Sequence, residues 1–214
     1  NYGYSLGLNG LGACATQYAS EYMDVTVHRD GFKYQLHFEK GENVGGLSKE
    51  AFRHRRTMTK IKWKPDIDVF TDIDISAEHY VDILKKQAIV NKGLTLRFIN
   101  EIAKNEFETT DFVYENGIVD YVGEITEGTA MTDTKFIECE RKGRDREDKP
   151  DYKVKLSCAF CFSNKISKLE YYHNSSFLEH GGSPDKAVTN AFVYTIDKYI
   201  KQIGKYTKNE SKIT

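Results

Sequence analysis

Asp30-Gly31 stands between two runs that alternate apolar and polar residues, and this pattern commits the chain to antiparallel pairing. Met23, Val25 and Val27 alternate before it, and Phe32, Tyr34, Leu36 and Phe38 alternate after it. A two-residue Asp-Gly turn matches the right-handed twist of a hairpin, and period-two alternation gives one apolar and one wet face. Lys33, Gln35, His37 and Glu39 fall on the wet side. Upstream, Ala15, Tyr18, Ala19, Tyr22 and Met23 recur at helical spacing, which predicts a helix over 13–22.

The period changes again further along. Gly41 to Gly46 reads as a glycine-rich turn, and Ile61 and Trp63 mark a strand stopped at Pro65-Asp66. Ser76 is placed to cap a helix carrying Tyr80, Ile83, Leu84, Gln87 and Ala88, with Gly93 just past its end. A second hairpin then runs from Leu94 to about Tyr114. The charged stretch Arg141 to Asp151 reads as a solvated loop between strands, and two strands follow it. Ser183 is the predicted N-cap of a long helix, with Pro184 and Asp185 in its first turn and a buried stripe expected from Ala187 to Ile203. The class these elements define is α+β, with mostly antiparallel sheets and helices on one side.

Lys and Arg total 31 against 32 Asp and Glu, a formal net charge of −1, which argues against a surface built to coat nucleic acid. No apolar run approaches the ~18 residues of a membrane span, so no membrane partner is expected. Cys14, Cys139, Cys158 and Cys161 form no framework and read as free, buried thiols of a cytoplasmic protein. Alternation through Tyr152, Val154, Leu156, Cys158, Phe160 and Phe162 puts Cys161 on the opposite face from Cys158, so no shared metal is expected. The first residue is Asn1, almost directly before a glycine motif, and the expectation is an internal piece of a longer protein.

That motif is Gly7-Leu8-Asn9-Gly10-Leu11-Gly12, running straight into the first helix. Glycines let the backbone approach a ligand, and N–H groups converging at a helix start hold phosphates. A plain glycine turn is the other reading of the same residues. A P-loop is excluded, because Ala13-Cys14 follows Gly12 where Gly-Lys-Ser/Thr is required. A dinucleotide fold is excluded by the glycine spacing and by the hairpins that follow.

The chain resembles the GHKL ATPases and, among them, the B subunits of type II DNA topoisomerases, the gyrase B and topoisomerase IV B kind. Gly7 to Ala13 resembles the family's glycine box, with Asn9 where many members carry His. His28-Arg29-Asp30-Gly31 is similar to its R-x-G hairpin. The segment Thr57 to Asp66 matches G-T-x-x-x-F-x-P-D, with Met58 in place of a glycine. Lys85 to Leu94 resembles R-E-x-A-F-L-N-x-G-L, and Phe112 to Ile118 resembles F-x-Y-E-G-G-I. His180-Gly181-Gly182-Ser183 resembles E-G-G-T-H, with Ser183-Pro184 replacing T-H.

The resemblance implies the later part of a GHKL (Bergerat-type) ATPase sandwich over residues 1–112. A transducer domain similar to the second domain of ribosomal protein S5 would follow over 113–214. It implies ATP and Mg2+ as cofactors of the parent protein, with DNA, a second copy and a DNA-cleaving A subunit as partners. Tyr2, Gly7, Leu8, Asn9, Gly10, Leu11, Gly12, Ala13 and Thr59 are the implied nucleotide-binding residues, with Arg29 at the pocket mouth. The family's glutamate base and magnesium-binding asparagine precede the glycine box, so no catalytic or metal-ligating residue is assigned here. This chain alone is expected not to hydrolyse ATP. Uncovered apolar sheet surface is expected as well, with self-association or partial disorder near the N-terminus. Two other readings remain: a ligand-free module that transmits dimerisation, and a MutL-like repair ATPase.

Overall fold

A computed structural model describes residues 11–53, 56–144, 146–207 and 213, and it divides into two compact units, residues 1–77 and 78–214. Every strand pairing in both is antiparallel.

The first unit holds α1 (Leu11–Tyr18), β1 (Ser20–Arg29), β2 (Phe32–Glu39), β3 (Glu42–Ala51) and β4 (Met58–Pro65), in sheet order β3-β2-β1-β4. Asp30 (φ 53°) and Gly31 (φ 78°) form the turn, both positive as a tight primed turn demands, and Arg29 pairs with Phe32. The first helix is shorter than its periodicity predicts. It stops at Tyr18, because from Tyr22 onward β1 pairs on both sides, with Glu39 and with Lys64. Ser20, fully buried, closes the helix by donating its hydroxyl to the Thr16 carbonyl.

The glycine-rich segment is also not a single turn. Lys40 and Gly41 make a two-residue turn, and Gly45 and Gly46 lie inside β3. There the register jumps from Gln35↔Ser48 to His37↔Val44, a bulge that positive-φ glycines accommodate.

Directly paired residues share a face. Met23, Val25 and Val27 therefore lie with Phe38, Leu36 and Tyr34 on one side and with Trp63, Ile61 and Thr59 on the other. Of this apolar face only Met23 is buried, while Ile61 is 53% and Trp63 42% exposed. The predicted uncovered sheet surface is present. The opposite face carries Asp24, Thr26 and His28 beside His37, Gln35 and Lys33. The predicted wet face is thus real, though most of it is half-buried.

The second unit holds α2 (Ala77–Val90), β5 (Leu96–Ala103), β6 (Glu106–Phe112), α3 (Ile118–Ile125), β7 (Lys135–Gly143) and β8 (Tyr152–Phe160). A short ribbon of β9 (Tyr172–His173) and β10 (Ser176–Phe177) follows, then α4 (Gly182–Gln202). Its core is Ala88, Ile89, Tyr114 and Tyr121, flanked by Leu96, Phe112, Ile118 and Ile125. The Gly93 N–H donates to the Tyr114 carbonyl at 2.9 Å, docking the end of α2 on the segment after β6. Gly117 (φ 61°) is needed there, since a Cβ would sit 3.2 Å from the Ile89 carbonyl oxygen.

Several expectations change in this unit. β7 runs to Gly143, with Arg141 paired to Val154, so the charged loop shrinks to residues 144–151, closed by Arg144 Nε donating to Asp151 at 2.6 Å. Gly181 rather than Ser183 is the N-cap of α4, and no side chain caps it. Ser183 falls inside the first turn with Pro184 and Asp185. No residue of α4 is buried. Phe192 meets Phe160 edge-on at 5.1 Å, but Tyr199 and Ile203 are exposed. Periodicity sets which side of a helix is apolar, and a second layer must still cover it. Cys14 is exposed and the other three thiols are half-buried, so the buried-thiol expectation fails, although all four are free. β8 ends at Phe160, and Cys161, beyond the strand, bonds Thr126 Oγ1 at 3.5 Å.

Ile89→Ala is expected to cost about 2–5 kcal/mol in urea unfolding, because it removes the most buried large side chain of the second unit's core. Ile61→Ala, on the open sheet face, is expected to cost far less. Equal effects would mean that the core assignment is wrong.

Candidate functional site

The described part of the glycine box is the first turn of α1. Leu11, Gly12 and Ala13 are all exposed there, while Tyr2, Gly7, Leu8, Asn9 and Gly10 lie outside the described residues. The first turn contains no acidic side chain. The early N–H groups of a helix have no intrahelical acceptor, so this end keeps its partial positive charge. A Cβ built on Gly12 meets nothing within 4 Å, so packing among the described residues does not require glycine there.

The helix is held from its other end. A Cβ on Gly41 (φ 87°) would lie 2.3 Å from the Tyr18 ring, so the tyrosine packs flat on the β2–β3 turn only because that residue is glycine. Gln17 Nε2 donates to the Gly41 carbonyl at 2.7 Å. Asp66, the acidic residue of the Pro65-Asp66 motif, is 5% exposed and ties three segments together. Its N–H donates to the Ala19 carbonyl at 3.0 Å, its carboxylate accepts from the Asp68 N–H at 2.9 Å, and Lys40 Nζ lies 3.5 Å away. Lys40 also bonds Asp68 at 2.8 Å, which raises the lysine pKa and lowers that of Asp68.

Thr59 is exposed on β4 opposite Val27, on the apolar face and near the hairpin end of β1, whereas α1 joins the other end. Arg29 is exposed at the hairpin and lies 3.4 Å from Asp30. Val25, Val27, Tyr34, Leu36 and Leu47 line an open depression of about 290 Å³, with Arg29 at its rim. Thr59 and Arg29 therefore share the face of this depression, while Leu11 to Ala13 form a separate, contiguous helix start. Among the described residues no group of three His, Cys, Asp or Glu side chains is placed to hold a metal.

A further polar cluster lies on the wet face, where His37 Nδ1 is 2.7 Å from Asp24 Oδ1 and Nε2 is 3.3 Å from Glu39 Oε1. The hydrogen bond to Asp24 and then that to Glu39 raise the imidazole pKa above 6.5. The sequence reading did not single out this trio; alternate residues on one strand and a neighbour across the ladder were its only signal.

The fold is similar to the 43K ATPase domain of Thermus thermophilus gyrase B, solved with an aminocoumarin, with a TM-score of 0.71 and 21% identity over 98% of this chain and 55% of that one. It is similar also to the topoisomerase IV ATP-binding domain of Francisella tularensis, with a TM-score of 0.69 and 23% identity over 96% and 54% of the two chains. These likenesses define the class as a mixed α/β fold that resembles those two ATP-binding domains.

In sequence, residues 117–214 match the DNA gyrase B family. The chain is 30% identical over its whole length to the DNA gyrase B protein of Spiroplasma citri. It is 26% identical over 95% of its length to the DNA topoisomerase 4 B protein of Bacillus subtilis. It covers 33% and 29% of those two proteins, so it spans about a third of such relatives. The chain is thus similar, over 95% or more of its length, to DNA gyrase B and DNA topoisomerase 4 B proteins.

The ring protons of His37 are expected to titrate above 6.5 by NMR, and Asp24→Asn is expected to bring the midpoint back toward that value. Because the folded pKa is the raised one, the stabilisation is complete below the unfolded value and is lost as pH rises through the folded value. A midpoint unmoved by Asp24→Asn would refute the pairing.

Proposed function

We propose that this chain is the part of a type II topoisomerase B subunit that grips the phosphates of ATP and relays the bound state to the rest of the enzyme. In this reading residues 7–13 turn main-chain donors toward the triphosphate. Thr59 lies under the adenine pocket, Tyr2 beside the nucleotide and Arg29 at its mouth. Residues 1–112 belong to the ATPase domain and 113–214 to the transducer. The intact protein hydrolyses ATP with Mg2+, dimerises, and works with a DNA-cleaving A subunit to pass one duplex through another. The general base and the magnesium ligand are assigned to no residue of this chain.

The observation that carries this reading is the first turn of α1, which is open, lacks acidic groups, and has a glycine at position 12 that no neighbour in the described structure requires. Such a turn can sit against an anion. Similarity along the chain to DNA gyrase B and DNA topoisomerase 4 B proteins supports the topoisomerase assignment over a MutL-like ATPase or a ligand-free module.

A non-hydrolysable ATP analogue is the test, titrated against the intact subunit. Gly12→Asp places a carboxylate where the phosphates would lie and has open space for its side chain. The variant is expected to weaken binding by about tenfold or more with little change in melting temperature. Unchanged affinity would remove residues 7–13 from the site. Separately, the 214-residue chain alone is expected to show no ATP turnover, and turnover at the rate of the intact protein would return the general base to this sequence.

A further inference from the structure

Two half-buried polar clusters meet at the Tyr121 ring in the second unit. In the first, Glu124 of α3 accepts from Lys85 Nζ of α2 at 2.7 Å and from the Tyr114 hydroxyl at 2.7 Å. In the second, the Tyr121 hydroxyl accepts from Lys168 Nζ at 2.6 Å and donates to Glu170 Oε1 at 3.2 Å, and Lys168 pairs with Glu170 at 2.9 Å. The Tyr172 hydroxyl of β9 donates to the other Glu170 oxygen at 3.1 Å. Tyr114 and Tyr121 pack edge-on at 6.0 Å, and Lys85 and Lys168 approach the Tyr121 ring at 5.9 and 5.2 Å.

Exposed ion pairs contribute little, but here the carboxylates also serve phenols that are 8% exposed, and losing a partner would strand a buried hydroxyl. The effects on ionisation agree with this. Lys85 holds Glu124 below the usual carboxylate range, and burial followed by the Glu124 bond pushes the Tyr114 hydroxyl well above its ordinary value.

α2 also reaches the β9–β10 ribbon directly. Gln87 Nε2 donates to the Ser175 carbonyl at 2.8 Å, and Lys86 Nζ lies 4.5 Å from the centre of the Phe177 ring. From the ribbon, Leu178 bonds back to Tyr171 and Gly181 bonds back to Leu178, which brings the chain to the start of α4.

We propose that Lys85, Tyr114, Tyr121, Glu124, Lys168 and Glu170 are a latch joining α2, the segment after β6, α3 and the β9–β10 ribbon into one mechanical body. A displacement of α2 passes straight to the ribbon and to the residues that open α4. The use of this lever, carrying a nucleotide-dependent movement from the ATPase part into the transducer part, rests on the function proposed above; the latch itself does not.

Hydrogen exchange on the intact subunit tests it. Tyr121→Phe keeps the ring and removes only the hydroxyl. Exchange of the amides in residues 172–177 is expected to quicken about tenfold, with the β7–β8 amides unchanged. Lys85→Met is expected to quicken exchange in α3 and in the ribbon, Lys85→Arg to restore it, and the double variant to depart from additivity. An unchanged ribbon in both single variants, or uniform quickening across residues 78–214, overturns the latch. Titration with the ATP analogue separates the two proposals. If exchange in α3 and the ribbon stays coupled without nucleotide binding, the proposed function fails and the latch stands. If nucleotide binds but the ribbon does not respond to Tyr121→Phe, the latch fails and the function stands.

Discussion

The double pairing of β1 is the constraint on which the first unit depends. A strand bonded on both sides has every other residue committed to each face, so its register cannot slip without exchanging Met23, Val25 and Val27 for Asp24, Thr26 and His28. It also ends α1, because a residue cannot contribute to two ladders and a helix together. Where β1 begins, Ser20 and Asp66 are the buried polar groups, and both are satisfied: Ser20 by the carbonyl of Thr16, Asp66 by the Asp68 N–H and Lys40. Buried polar groups are costly unless paired, so these two side chains fix how the helix leaves the sheet. The direction of the first turn of α1, the only described part of the glycine box, follows from contacts made at its far end.

The second unit solves a different problem. Its core is small and half of it is tyrosine, so the phenol hydroxyls must find acceptors inside the structure. Glu124 and Glu170 supply them, and Lys85 and Lys168 supply the countercharge. An all-aliphatic core would hold the same elements together but would leave them free to slide. A hydrogen-bonded ring of tyrosines, carboxylates and ammonium groups admits one arrangement.

Much of this was legible from the residues. The Asp30-Gly31 hairpin, the strand ending at Pro65, α2 with Gly93 past its end, and the β5–β6 hairpin all follow from short-range pattern and turn chemistry. The errors share a cause. The helix predicted to residue 22, the turn predicted over Gly41 to Gly46, and the last three residues of β7, hidden in a charged stretch, were all decided by pairing with residues far away in sequence. α3 was missed although Ile118, Tyr121, Val122 and Ile125 stand at helical spacing, because eight residues give that pattern little weight. The site was legible as a motif and not as a geometry. A glycine box announces a close backbone approach, but only the Gly41–Tyr18 contact shows how the helix behind it is aimed.

The same distinction explains why the latch left no trace in the sequence. Lys85 and Glu124 are 39 residues apart and Tyr121 and Glu170 are 49 apart, and each alone reads as an ordinary charge or aromatic on a helix or loop. Core contacts cross the proposed boundary at 112/113. The core residues Ile89 and Tyr121 lie on opposite sides of it and pack in one cluster, and the compact units divide at the first residue of α2. A domain defined by descent and a body defined by contacts are separate things. If residues 112/113 are the domain boundary proposed above, a shared core and a satisfied polar network both span it, and in the proposed latch movement crosses there through side chains as well as through the backbone.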